Sequence, residues 1–254
     1  MFSRSKIKIL FVSAEMSPYA VIGGLGQVIG YLPKALLKIG VDVRVMLPFY
    51  GKIDRQKYNP AMIWEGMRVG EIICNLKKHQ IDRFSPLVYF LENREYYELR
   101  ENVYGYSDDY LRWGLLQKAV AELLQKAESL DDGWTPDIIH CHDWMIGLIP
   151  QILPKKVKTV FTIHNLQFQG PFDYRFIKPE DADNGKENGF DLFSDNFKKL
   201  NSMERGIIYA DLVTTVSERY AKEILTPEFG CGLDNVLQKN KHKLYGVLNG
   251  LDYR

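Results

Sequence analysis

Only three cysteines occur in 254 residues, Cys74, Cys141 and Cys231, far apart and without any C-x-x-C pair. That count and spacing support neither a disulfide framework nor a zinc site, and they fit a reducing compartment. An excess of either charge is missing as well: 33 Lys and Arg stand against 32 Asp and Glu, a net charge of +1. Nothing in that balance recruits nucleic acid or an anionic membrane as a partner. No segment approaches the roughly 18 apolar residues that span a bilayer, and the apolar run near the start is interrupted by Lys8 and stopped by Glu15 before it could form a signal core. The expectation is a soluble, cytoplasmic protein whose specificity lies in a local site.

Two nucleotide-binding patterns are also absent. A dinucleotide fingerprint needs G-x-G-x-x-G and an acidic residue at the end of the second strand, but Gly24, Gly26 and Gly30 are one residue too wide and the second strand ends in Leu47-Pro48. No G-x-x-x-x-G-K-S/T occurs, which removes the triphosphate loop.

What is present is an alternation of apolar runs and helix-period segments in a chain with 46% hydrophobic residues, enough for one large core. Residues 7–13 form a continuous apolar run, as expected of a strand covered on both faces. The stretch A-V-I-G-G-L-G-Q-V-I-G at 20–30 predicts a glycine turn and then a helix to Gly40, bent at Pro33, with a second strand at 41–47. Further strands are expected at 137–141, 159–164, 212–216 and 245–248, with helices at 108–129, 145–153, 201–210 and 219–225. Between 50 and 91 the pattern is weak, with strands placed at 67–74 and 87–91. Such alternation predicts a doubly wound, mainly parallel, Rossmann-like α/β sheet.

Three polar clusters fall at the carboxyl ends of predicted strands, where open α/β sheets bind their ligands. The first is Gly23-Gly24-Leu25-Gly26-Gln27, where missing side chains and the first N–H groups of a helix suit an anionic or hydroxyl-rich group. In the second, His140-Cys141-His142-Asp143-Trp144, strand alternation turns His140 and His142 to one face and Cys141 to the other. With no third ligand at useful spacing, a metal site is not expected there. The third runs from Thr162 through His164, Asn165 and Gln169 to Gly170. Each alone has a plain structural reading; their convergence on one sheet edge favours a site.

These residues resemble the glycogen and starch synthase family of the bacterial, ADP-glucose-using type. The resemblance rests on I-L-F-V-S-A-E-M-S-P at 9–18, G-G-L-G at 23–26, L-P-K-A-L at 32–36, H-C-H-D-W at 140–144 and T-I-H-N-L-Q-F-Q-G at 162–170. It continues through T-V-S-E-R-Y-A-K-E-I at 215–224, F-G-C-G-L at 229–233 and L-N-G-L-D at 248–252. It implies the amino-terminal half of a GT-B-type glycosyltransferase: residues 1–248 as a glucan-acceptor domain and 249–254 as the start of an inter-domain linker. A carboxyl-terminal Rossmann-like domain for the nucleotide sugar would be supplied in cis or in trans.

The implied reaction is retaining transfer of glucose from ADP-glucose to the non-reducing end of an α-1,4-glucan, without a metal or other cofactor. Asp143 would then lie near the acceptor hydroxyl and His164 against the transferred glucose. The glycine loop would approach sugar and diphosphate, Asn249 would line the inter-domain cleft, and Tyr96 or Tyr97 would touch acceptor glucose. The family's loop reads K-x-G-G-L-G-D, whereas this chain has Val21 in place of the lysine and Gln27 in place of the aspartate. Each lost charge-assisted hydrogen bond is worth about 1.5–3 kcal/mol, or one to two powers of ten in rate. That departure keeps open an alternative, a non-catalytic glucan-binding or regulatory module.

Overall fold

The structure is a computed structural model that describes residues 6–130, 132–154, 157–186 and 191–250. Among them nine strands form one sheet: β1 (Lys8–Val12), β2 (Asp42–Pro48), β3 (Ala61–Val69), β4 (Ile72–His79), β5 (Leu87–Glu92), β6 (Ile138–His142), β7 (Lys158–Ile163), β8 (Leu212–Thr215) and β9 (Leu244–Gly246). Their order is β3-β4-β5-β2-β1-β6-β7-β8-β9. From β5 to β9 every pairing is parallel, while β3–β4 and β4–β5 are antiparallel. The helices are α1 (Gly24–Lys38), α2 (Arg55–Tyr58), α3 (Asp109–Lys126), α4 (Ile149–Ile152), α5 (Ser202–Tyr209), α6 (Glu218–Glu223) and α7 (Asp234–Lys239).

The parallel strands are apolar because both their faces are covered. Leu10, Phe11 and Val12 on β1 and Val45, Met46 and Leu47 on β2 have no exposed surface, which is what an unbroken apolar run without alternation encodes. From β1 the chain winds first to β2 on one side and only later to β6 on the other, so β1 and β6 flank the point where the winding direction reverses. Crevices for ligands open at the carboxyl ends of strands at such a point.

Three expectations change in detail. The single strand placed at 67–74 is a hairpin: β3 turns at Gly70, whose φ of +62° is a conformation that costs an L side chain, and returns as β4. The helix placed at 145–153 is a 3-10 turn, Trp144–Ile146, followed by the single turn of α4. The break falls at Gly147, where an added Cβ would come 1.9 Å from the carbonyl oxygen of Ser202, so α5 packs directly on the backbone there. Helices α2 and α7 were not foreseen. The helix after the glycine loop does continue through Pro33. Of the linker placed at 249–254, residues 251–254 lie outside the described residues.

Candidate functional site

Strand β1 delivers Ser13, Ala14 and Glu15 to the reversal point, and Glu15 is buried there, 3% exposed. Its Oε2 accepts hydrogen bonds from the backbone N–H groups of Ile22 (2.6 Å) and Gly23 (3.0 Å), and its Oε1 accepts from the Tyr104 hydroxyl (2.6 Å). One carboxylate thus ties the glycine loop to the segment before α3. Gly26 belongs to this arrangement: a Cβ there would stand 3.0 Å from Glu15 Oε2 and 3.2 Å from Val21, so its role is to admit the carboxylate behind the loop. Gly23 and Gly24 have open space where a side chain would project. Burial pushes the Tyr104 hydroxyl far above its ordinary range, with the Glu15 carboxylate adding to the effect, so that hydroxyl stays a donor.

Replacing Glu15 by alanine removes all three bonds. Since hydrogen bonds to charged groups are worth ~1.5–3 kcal/mol, amide exchange at Ile22 and Gly23 is expected to accelerate by about tenfold or more. Glu15→Gln, which keeps an oxygen for the loop, should change it far less. Unaltered exchange in Glu15→Ala would show that the loop is held by something else.

Beside this carboxylate, β6 ends in Asp143. Its backbone stands at φ +60°, ψ 179°, a region that glycine occupies and other residues rarely do, at a cost of about 1–3 kcal/mol. The surroundings impose it: Asp143 N–H donates to the Thr162 carbonyl (2.9 Å), and Asp143 Oδ1 accepts from the N–H groups of His164 (2.7 Å) and Asn165 (3.3 Å). Burial raises the Asp143 carboxyl to about 7, against those two N–H bonds, and the nearby Glu15 adds to the rise.

Behind Asp143 three imidazoles pack together. His140 and His142, two apart on β6, have ring centroids 4.1 Å apart, and His142 Nδ1 meets His164 Nε2 at 3.0 Å. Cys141 points away into the core, as the alternation of the strand requires. Burial lowers all three rings, His140 to about 3, His164 to about 4 and His142 well below its usual range, so they are neutral at physiological pH. Among the described residues no three His, Cys, Asp or Glu side chains are grouped to hold a metal ion.

These elements line one cleft of about 1070 Å³. Of the residues singled out in the sequence, Gly23, Gly24, Asp143, His164, Asn165 and Asn249 lie on its wall. Five do not. Gly26 packs behind the loop, Gln27 is exposed on α1, and Gln169 is buried, with Nε2 donating to the Cys231 carbonyl (2.7 Å) and Oε1 accepting from Asn201 Nδ2 (2.7 Å). Tyr97 is completely buried with its hydroxyl on the Arg112 carbonyl (2.7 Å), and Tyr96 is 8% exposed. Neither tyrosine lies on the cleft wall, and the ring of Tyr97 is sealed from solvent. Glu15 and Tyr104 were the residues missed. The signal for Glu15 was available, an acidic residue just past the end of a buried strand; Tyr104 has no comparable mark.

The wall is poor in cations. Among the described residues four carboxylates line it, Glu15, Asp109, Asp143 and Asp173, with one guanidinium, Arg175, already engaged by Asp173 (2.5 Å). Asp109 is neutralised from behind by buried Arg112 (2.5 Å).

The starch synthase catalytic domain family matches residues 8–239. The chain belongs to that family. Among related proteins, the glycogen synthase of Geotalea daltonii is 43% identical, covering 97% of this chain and 53% of its own length. That of Lacticaseibacillus casei is 42% identical, covering 97% and 52%. The catalytic domain of starch synthase IV from Arabidopsis thaliana, solved bound to ADP and acarbose, superposes with a TM-score of 0.73 at 27% identity, covering 98% of this chain and 52% of that one. The chain therefore has the Rossmann-like α/β architecture of one half of a GT-B-type fold, and it spans about half the length of the curated relatives it matches. No helix among its described residues is long and apolar enough to cross a membrane.

Proposed function

We propose that this chain forms the acceptor half of a retaining glucosyltransferase that moves glucose from ADP-glucose to the non-reducing end of an α-1,4-glucan. A carboxyl-terminal Rossmann-like domain, in cis or in trans, would hold the donor. The observation that carries the reading is the meeting of the glycine loop, Asp143 and His164 in one cleft at the reversal point of the sheet, in a chain of this family. A transition state with oxocarbenium character gains from preorganised carboxylates in a cleft that excludes water. Asp143 faces the acceptor hydroxyl, whose oxygen bonds to the anomeric carbon as the bond to the diphosphate breaks and the hydroxyl proton passes to the departing diphosphate oxygen. With Arg175 the one cation on this wall among the described residues, and that one paired, the charges that neutralise the diphosphate would come from the other domain. The reaction needs no metal on this reading.

The test is a chimera in which residues 1–250 precede the carboxyl-terminal half of the Geotalea daltonii relative, assayed for transfer of labelled glucose from ADP-glucose to maltotetraose. Transfer that falls at least a hundredfold on His164→Ala or Asp143→Ala supports the proposal. No transfer from a folded chimera would overturn it.

Val21 and Gln27 favour a second reading, a glucan-binding or regulatory module without catalysis. In the same chimera, Val21→Lys with Gln27→Asp should change transfer little under the first reading and raise it from near zero under the second.

A further inference from the structure

His142 does not line the cleft, yet it is wedged against a residue that does. Its Nδ1 and the Nε2 of His164 are 3.0 Å apart, so one proton lies between two nitrogens and one ring must own it. The far side of His142 decides which. Its Nε2 is buried and has no hydrogen-bond partner among the described residues. If His164 were the donor, neutral His142 would have to carry its proton on Nε2 and aim an N–H at a volume with nothing to receive it. If His142 is the donor, the same atom is an unprotonated lone pair. A buried N–H without an acceptor is the rarer and costlier defect, and each neutral imidazole has one proton to place.

We propose that His142 is a positioning residue: it donates from Nδ1 to Nε2 of His164, and so fixes His164 as the Nδ1–H tautomer that offers the cleft a hydrogen-bond donor. Packing keeps the donor in place. The His142 ring stacks on Phe11 at 5.2 Å with an interplanar angle of 19°, and His140 lies against it at 4.1 Å. His140 is anchored in turn by Nε2 on the Thr162 hydroxyl at 2.6 Å, and that hydroxyl meets Thr214 Oγ1 at 2.6 Å. The ring of His164 is steadied from the other side of its backbone, since its N–H is held by Asp143 Oδ1. A partner that fixes the tautomer of a working histidine is a familiar device at metal and catalytic sites.

The consequence for chemistry rests on the transferase reading: His164 gives a hydrogen bond to an oxygen of the bound sugar and does not take a proton from it. The tautomer itself does not depend on that reading. It can be measured on the isolated chain, whether or not the chain ever transfers glucose.

The measurement is long-range ¹⁵N–¹H correlation of the imidazoles in the full ¹⁵N-labelled chain at pH 7.5. The expected result is His164 with its proton on Nδ1 and a bare Nε2; a proton on Nε2 overturns the proposal. Two variants test His142 as the cause. His142→Asn places an amide N–H₂ where Nδ1 stood and should keep the Nδ1–H form, whereas His142→Asp presents a carboxylate oxygen, an acceptor, and should put a proton on Nε2 of His164. A bare Nε2 on His164 in a folded His142→Asp, or loss of the Nδ1–H form in a folded His142→Asn, would show that His142 does not set the tautomer. Absence of glucose transfer with the tautomer as expected would count against the transferase reading alone.

Discussion

Asparagine in place of Asp143 is expected to stabilise the folded chain by on the order of 4 kcal/mol at pH 8, less at lower pH, and by almost nothing below pH 4. The carboxyl rises from 3.8 to about 7 because it is buried. Between those values the folded state holds a proton that the unfolded chain has released, so stability falls as pH rises through the window, and above 7 the full cost of an ionised buried carboxylate remains. Asparagine removes the charge and keeps an oxygen for the N–H groups of His164 and Asn165. Glu204, raised to about 7 by burial and by Asp183, adds a second group of the same sign. The three lowered histidines act oppositely: below about 6.5 the unfolded chain takes up protons that the buried rings refuse, so stability is lost as pH falls. Urea unfolding of wild type and Asp143→Asn at pH 5, 6.5 and 8 measures this. A difference that does not vary with pH would contradict the buried-acid explanation.

The second large effect is expected away from the cleft, at Asp183. Its carboxylate accepts from Arg205 Nε (2.7 Å) and a second guanidinium nitrogen (2.5 Å), and both side chains are almost wholly buried, 2% and 0% exposed. Asp183 also accepts from the N–H of Asn201, whose side chain caps α5 through the Glu204 N–H. Truncating Asp183 to alanine removes the carboxylate that takes two hydrogen bonds from the buried Arg205 guanidinium, at a cost of about 3–5 kcal/mol. The double change Asp183→Leu with Arg205→Met should recover much of that loss, because a buried ion pair gains little over well-packed apolar side chains. Equilibrium unfolding reads both. The pair also fastens the segment after β7 to α5, and that segment supplies Phe168, Phe172 and Arg175 to the wall. A loss below 1 kcal/mol for Asp183→Ala would mean that the segment is held by its other contacts.

The parts of the fold that were legible in the sequence are those where burial leaves a local trace. Continuous apolar runs gave β1, β2, β6 and β7, and the three-and-four spacing of apolar residues gave α1 and α3. Where the sheet turns antiparallel the trace weakens, because β3 and β4 are exposed in places and interrupted by a bulge between Trp64 and Met67. The turn at Gly70 was then read as strand interior. The site was legible where residues sit at strand ends, which places Asp143, His164 and Asn165 without knowledge of any contact. It was illegible where burial decides the matter: no pattern distinguishes Tyr97, sealed in the core, from Tyr104, whose hydroxyl reaches Glu15. Gly26 showed the same ambiguity, since a glycine needed to admit a carboxylate behind the loop looks like one that admits a ligand in front of it.

On the proposed reading, the cleft wall around Glu15, Asp143 and His164 binds an α-glucan. Titration of the ¹⁵N-labelled chain with maltotetraose, followed by amide and imidazole NMR shifts, tests it most directly. The prediction is saturable shifts concentrated at Gly23, Gly24, Tyr104, Asp143, Trp144, His164 and Asn165, lost in Asp143→Ala. Shifts confined to other surfaces, or none at millimolar sugar, would contradict it.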